Sequence, residues 1–287
     1  MGRRRNMTRS DLDSAEILEA YDYLSPLSPD RWAWEFLRRN EEFRRDAACV
    51  NAEDISEKTA PCVDVRLLRP RTDQTLSERW GLIFMPDPER DAYHADAVWN
   101  RLAFPHQVEV NCRPRALDQR CELWDRSIPI CDITHITDMM GREYLLVRRN
   151  GVVVQLCCTG ISLLGLEPVK MRLTISDVDG YDHRVKLQKA AFDIYGDGPH
   201  PPGPVWTKTT EVLRNCVITL DGLEQGMSHK EIAIVLYGSK RVEEDWGGSS
   251  MKHAIHYLVK KGQGLRDGGF RKELLGSDLA PAGPHCA

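Results

Sequence analysis

Between residues 249 and 272 the sequence concentrates side chains suited to gripping a polyanion. Lys252, Lys260, Lys261, Arg266, Arg271 and Lys272 set six positive charges against one acid, Asp267, a local excess of +5 in a chain of formal charge −4. Ser250, His253, His256 and Tyr257 lie among them and add hydrogen-bonding groups. Lysine and arginine hold phosphate oxygens whatever the base sequence, while hydroxyls and imidazoles can touch sugars or base edges. Engaging all six bases would make log K fall by about five units per decade of salt, at about 0.9 per phosphate. Two histidines on that face would make binding weaken as pH rises through the imidazole range, because a neutral ring brings no charge to a phosphate.

Other groupings of reactive residue types carry less. In the acidic run 177–182, Tyr181 stands where a calcium loop needs a ligand and Gln188 where it needs a glutamate, so a turn is the better account. Cys112, Cys121 and Cys131, with His106 and His135 nearby, lack the spacing of a zinc site, and buried free thiols are the simpler reading. Asp132, His135 and Asp138 read as a polar turn. There is no P-loop, no H-E-x-x-H and no G-x-S-x-G, and the glycines at 262, 264 and 268 follow a helix instead of a strand. An enzyme reading is left without a site, and no metal or cofactor is expected.

The elements that position the basic residues are marked by local signals. Ser228 and Glu231 form a capping box that opens a helix with Ile232, Val235 and Leu236 on one side and Gly238 after its end. Val242 and Trp246 share a face of a shorter turn, broken by Gly247 and Gly248. A second helix then starts with Ser249 or Ser250 as N-cap and ends at Gly262. Its stripe is Met251, Ala254, Ile255, Leu258 and Val259, and its polar side is Lys252, His253, His256, Tyr257, Lys260 and Lys261. A capped helix, a tight break and a basic amphipathic helix are the parts of a helix-turn-helix, in which one helix enters the major groove. A helix over about 209–225, with Leu213, Cys216, Val217, Leu220 and Leu223 on its stripe, would pack against that pair.

These residues also carry a resemblance. Ser228-x-x-Glu231-Ile232-Ala233, Val242-x-x-Asp245-Trp246, the basic helix to Lys261-Gly262 and Gly268-Gly269-Phe270-Arg271 resemble the RovC-type DNA-binding domain, a bacterial helix-turn-helix variant. The run 21–46, YDYLSPLSPDRWAWEFLRRNEEFRRD, is similar to the transcriptional-regulator-like domain that often precedes it. The resemblance implies a DNA-binding transcriptional regulator, an activator, of bacterial secretion or mobile and conjugative-element genes, type VI secretion among them, reading duplex DNA with the helix near 250–261. Its alternative is an antiactivator that binds another regulator. Double-stranded DNA, a homo-oligomer, and another transcription regulator or RNA polymerase are the partners it implies.

Upstream, Ser28 before Pro29 predicts a helix start with the serine hydroxyl as cap; Ala33, Phe36 and Leu37 form its stripe and Asn40 caps the next turn. Trp32 and Trp34 point to different sides, as core residues or, in the sharper alternative, as an oligomer contact. Asn150-Gly151 between YLLVRR and VVVQLCC predicts a hairpin, with 170–175 as a third strand beside it. A helix is expected over 184–195, followed by a proline-rich linker over 196–204. The fold class is therefore α+β: a helical N-terminal segment, a small antiparallel β-sheet in the middle and a C-terminal helix-turn-helix-like helical domain. The expected domains are 10–115, then 130–276 with its sheet at 143–176 and its helix-turn-helix at 207–276, and a mobile tail at 277–287.

With 287 residues, mean hydropathy −0.44 and no apolar run long enough to span a bilayer, the composition is that of a soluble protein without a membrane partner. Nine cysteines, none as C-x-x-C, together with a basic start that no apolar segment follows, place the chain in a reducing cytoplasm. Met1 and Met7 are both candidate starts.

Overall fold

The computed structural model describes residues 9–60, 64–119, 125, 129–165, 168–175, 178–194 and 203–278. The start at Met1 or Met7, Cys121, most of the 196–204 linker and most of the 277–287 tail lie outside them. The described residues form two compact units. One combines those up to Pro26 with those from 203 to Phe270; the other combines Leu27 to 194 with Arg271 onward.

In the larger unit, α2 (Pro29–Leu37) and α3 (Glu41–Ala48) precede β1 (Ile55–Thr59), β2 (Val65–Pro70) and α4 (Thr75–Trp80). Asn40 caps α3 as expected, its side chain accepting from Phe43 N at 2.9 Å. Ser28 does not cap α2: its hydroxyl donates to Asp30 Oδ1 at 2.5 Å, because that carboxylate is held in place by buried Arg31. Trp32 and Trp34 are both buried, which removes them as an oligomer contact, and Trp34 Nε1 donates to Arg90 O. The remaining face of α2 is polar and equally buried. Glu35, fully enclosed, accepts from Arg38, Arg39 and the Ala92 backbone N–H. Each charge is thus matched by a partner in a place where an unpaired one would be costly.

The strands β3 (Val108–Pro114), β4 (Asp132–Thr137), β5 (Glu143–Arg149), β6 (Val152–Gly160) and β7 (Val169–Thr174) join β1 and β2 in one sheet of order β1-β2-β4-β5-β6-β3-β7. The hairpin forms where the sequence predicts it, with Asn150 at φ 52° and Gly151 at φ 81°, the pair of positive angles that a tight two-residue turn requires. The sheet is larger than the expected small antiparallel one and is mixed, since β2 runs parallel to β4 and β3 parallel to β6. Strand β7 does not lie beside the hairpin. It pairs with β3 at the sheet edge, because β3 already occupies the free side of β6. Both faces of the central strands are covered: Leu68, Ile136, Tyr144, Leu146, Val153 and Cys157 pack with Phe84 and Val98 on one, while Ile133, Leu145, Val147 and Leu156 are buried on the other. Strand β5 therefore reads as a continuous apolar run rather than an alternation. Its charge at position 148 is buried too, the Arg148 guanidinium bonding Tyr93 O, Thr134 Oγ1, Ala95 O and Asp96. Helix α5 (Tyr181–Asp193) packs against β3.

The smaller unit is helical. It consists of α1 (Arg9–Glu19), α6 (Lys208–Glu224), α7 (His229–Tyr237), α8 (Ser239–Asp245) and α9 (Ser249–Gly264). Helix α1 docks on α7, with Ser14 Oγ donating to Ile234 O at 3.4 Å, and just after it Tyr21 OH donates to Asp221 on α6 at 2.9 Å. The last helix among the described residues is α10 (Phe270–Glu273). Among the described residues no helix is long and apolar enough to cross a membrane.

Candidate nucleic-acid interface

The basic helix is held from below by helices that their own end residues define. At the start of α6, Thr207 and Thr210 exchange side-chain-to-backbone bonds of 2.9 and 3.1 Å. At the start of α7 the predicted capping box is complete: Ser228 Oγ accepts from Glu231 N at 3.3 Å and Glu231 accepts from Ser228 N at 2.7 Å. Those bonds to the anion hold the Glu231 carboxyl below its usual range. Ile232, Ala233 and Val235 of α7, Val242 of α8 and Leu213, Cys216, Val217 and Leu220 of α6 are buried, and α7 contacts both α6 and α8.

Against this layer α9 buries Met251, Ile255, Leu258 and Val259, four of the five stripe positions read from spacing; Ala254 is half-buried. Two boundaries differ from expectation. The N-cap is Gly248 in an extended conformation, so Ser249 and Ser250 fall inside the first turn and neither caps it. Nor does the helix stop at Gly262. It continues to Gly264 because Gly262 faces α6 so closely that a Cβ there would meet Cys216 O at 3.2 Å and Leu220 Cγ at 3.3 Å. The glycine serves close approach of two helices rather than termination. The turn comes later, at Gly268 with φ 119°, ahead of buried Phe270.

The outer face of α9 presents Ser250, Lys252, His253, His256, Tyr257 and Lys260 exposed, with Lys261 half-buried at its edge. Lys252 Nζ lies 5.9 Å from the Trp246 ring centroid, a cation–π contact that limits where its charge can swing. The remaining predicted bases do not all join this face. Arg266 forms an ion pair with adjacent Asp267 at 2.7 Å, which offsets its charge locally. Arg271 is a correction: it is buried, donates to Arg79 O at 2.8 Å and belongs to the larger unit. Burial, with Arg79 alongside, lowers its pKa from the usual arginine value. Lys272 is exposed but also belongs to the larger unit. The face that α9 itself offers to a polyanion therefore rests on Lys252, Lys260 and Lys261.

Sequence reading passed over charge on the neighbouring helices. Lys230, Lys240 and Arg241 are exposed, and Arg241 stacks 5.5 Å from the Tyr237 ring while pairing weakly with Asp245 at 3.7 Å. Glu243, Glu244 and Asp245 of α8 are exposed as well. A polyanion can follow α9 but is repelled along the acidic end of α8, which restricts the directions of approach.

A basic helix clamped by its apolar side onto capped neighbours keeps its charged side open to a polyanion. Comparison with known families agrees in both halves. Residues 17–85 match the proteobacterial transcriptional regulator-like domain, and residues 173–275 match the RovC DNA-binding domain, described as that of a type VI secretion system transcription factor. The two matches fall in the order that the sequence implies. No curated protein matches it at a significant level.

Proposed function

We propose that this protein is a cytoplasmic, non-enzymatic transcription regulator that reads duplex DNA through a helix-turn-helix variant, with α7 supporting and α9 in the major groove. The observation that carries this reading is the division of α9 into a buried apolar side and an exposed side bearing Lys252, His253, His256, Tyr257, Lys260 and Lys261. The match of residues 173–275 to a DNA-binding domain of secretion-system transcription factors supports it. Lys260 and Lys261 take backbone phosphates, and Ser250, Lys252, His253, His256 and Tyr257, nearer the start of the helix, meet sugars and base edges. Activation of secretion or mobile-element genes is the proposed output, with RNA polymerase or a second regulator as protein partner.

The test is fluorescence anisotropy on duplexes tiled across the upstream region of the gene and its neighbours, with a Lys260→Glu, Lys261→Glu variant alongside. One tile should bind well above the rest and lose its advantage in the variant. Replacing Lys260 and Lys261 together by alanine should flatten the slope of log K against log salt by about 1.8, at about 0.9 per phosphate. Weak binding that is uniform across tiles and indifferent to these changes would overturn the reading and favour the antiactivator alternative.

A further inference from the structure

Two thiols of the sheet unit share one face of adjacent strands. In the pairing of β3 with β6, Val110 lies opposite Cys158 and Cys112 opposite Gly160. Side chains alternate along a strand, so Cys112 sits on the same face as Val110 and therefore as Cys158. The residue directly across from Cys112 has no side chain, and none fits: Gly160 holds φ 92°, and a Cβ there would collide with Cys112 O. Nothing on β6 therefore screens the Cys112 sulfur from Cys158, and the two thiols are hydrogen-bonded to each other. Cys157 lies one residue away on the opposite face, where its sulfur accepts from Arg101 Nε at 3.1 Å in the core beside Tyr144. We propose that Cys112 and Cys158 are a peroxide-responsive dithiol that closes to an intrachain disulfide.

Cys112 is buried, but Cys158 lines an open cleft of about 320 Å³ together with Arg101, Arg142, Thr159 and Ser162, room enough for a molecule as small as hydrogen peroxide. The Cys158 S–H donates to Cys112, which holds the Cys112 thiol below its ordinary range, while the same bond and burial keep Cys158 well above its own. The pair therefore gives up one proton more readily than a lone buried thiol and keeps the second. Exchange of the shared proton brings the charge to Cys158, the sulfur that meets the cleft. That thiolate attacks one oxygen of the peroxide: the S–O bond forms as the O–O bond breaks, and the departing hydroxide takes up a proton as water. The Cys112 thiol then attacks the sulfenic sulfur, the S–S bond forms, and the oxygen leaves as a second water with the Cys112 proton. The two sulfurs lose two electrons and the peroxide gains them. In a reducing compartment such a bridge is transient, which suits a sensor. Closed, it fastens β6 to β3, the strand on which β7 and α5 rest. The inference stands apart from the DNA reading, which it neither needs nor supports.

Peptide mapping of the full chain tests it. Reduced protein is treated with hydrogen peroxide, its remaining thiols are alkylated, and the digest is analysed by mass spectrometry. A linked pair of peptides holding Cys112 and Cys158, lighter than their sum by two hydrogens, should exceed every other cysteine pairing by about tenfold or more and vanish after dithiothreitol. Cys112 and Cys158 should lose alkylation in equal amounts. The link should form to the same extent in Cys157→Ser and in Cys131→Ser, and because the parent chain is mapped directly the result does not depend on either variant folding. Three outcomes would each overturn the assignment: Cys112 and Cys158 still fully alkylated at a peroxide dose that oxidises exposed Cys49, Cys112 joined to Cys157 in place of Cys158, or a link that forms only once the chain is denatured.

Discussion

The two units organise charge in opposite ways. In the helical unit the charges of α9 are mostly on the outside and the buried residues of α6, α7 and α9 are mostly apolar. In the sheet unit Arg31, Glu35, Arg39 and Arg148 are buried, each bonded to a carboxylate, an arginine or a backbone carbonyl. A surface built on an apolar clamp is free to meet a ligand, whereas a charge used as internal cement is buried out of a ligand's reach. Arginine count alone therefore says little about binding, and Arg271 illustrates the point within a single basic run.

Substitutions can break or sharpen this contrast. Glu35→Ala should have the largest effect, about 3–5 kcal/mol of stability lost in urea denaturation, because it leaves the buried Arg39 guanidinium without its carboxylate. A cost near zero would mean that the internal charges are not cement. Gly262→Leu should cost the helical unit about 1–3 kcal/mol through overpacking against Cys216 and Leu220, read from the thermal midpoint. Ser228→Ala removes half of a capping box and should cost about 1 kcal/mol, measurable by the same melt.

The smallest effect concerns pH. His183 on α5 has its pKa lowered from 6.5 by burial first and then by His106, Lys186 and Arg184. The unfolded chain then binds more protons below about pH 6.5, so the sheet unit is most stable above that pH and loses stability as pH falls toward the folded-state value. His183→Asn should flatten that slope. A slope of opposite sign would show that protonated His183 finds a partner in the fold.

Legibility followed the range of the interaction. The Ser228–Glu231 box, the Asn40 cap and the Asn150-Gly151 hairpin each involve residues within four positions, and each formed where the sequence placed it. The stripe of α9 was also legible, since periodicity reports a buried side without naming what covers it. Features settled by distant residues were not. The pairing of β7 with β3 depends on β3 first reaching the outer side of β6, and nothing in the 170–175 run encodes that. The burial of Arg271 depends on Arg79, and the true role of Gly262 on Cys216. The burial of the polar side of α2 depends on Ala92 and Ala97, whose backbone groups come some sixty residues later.

The docking of α1 on α7 also orders events in time. Ser14 and Tyr21 leave the ribosome well before their partners Ile234 and Asp221, which come 220 and 200 positions later. The intervening strands can pair while the first helix waits, and the loop closed by that helix is among the longest the chain contains. The unit bearing the basic face is consequently completed only after the strands between its two parts have been synthesised, so a chain that stops before α7 exposes a helix without its seat.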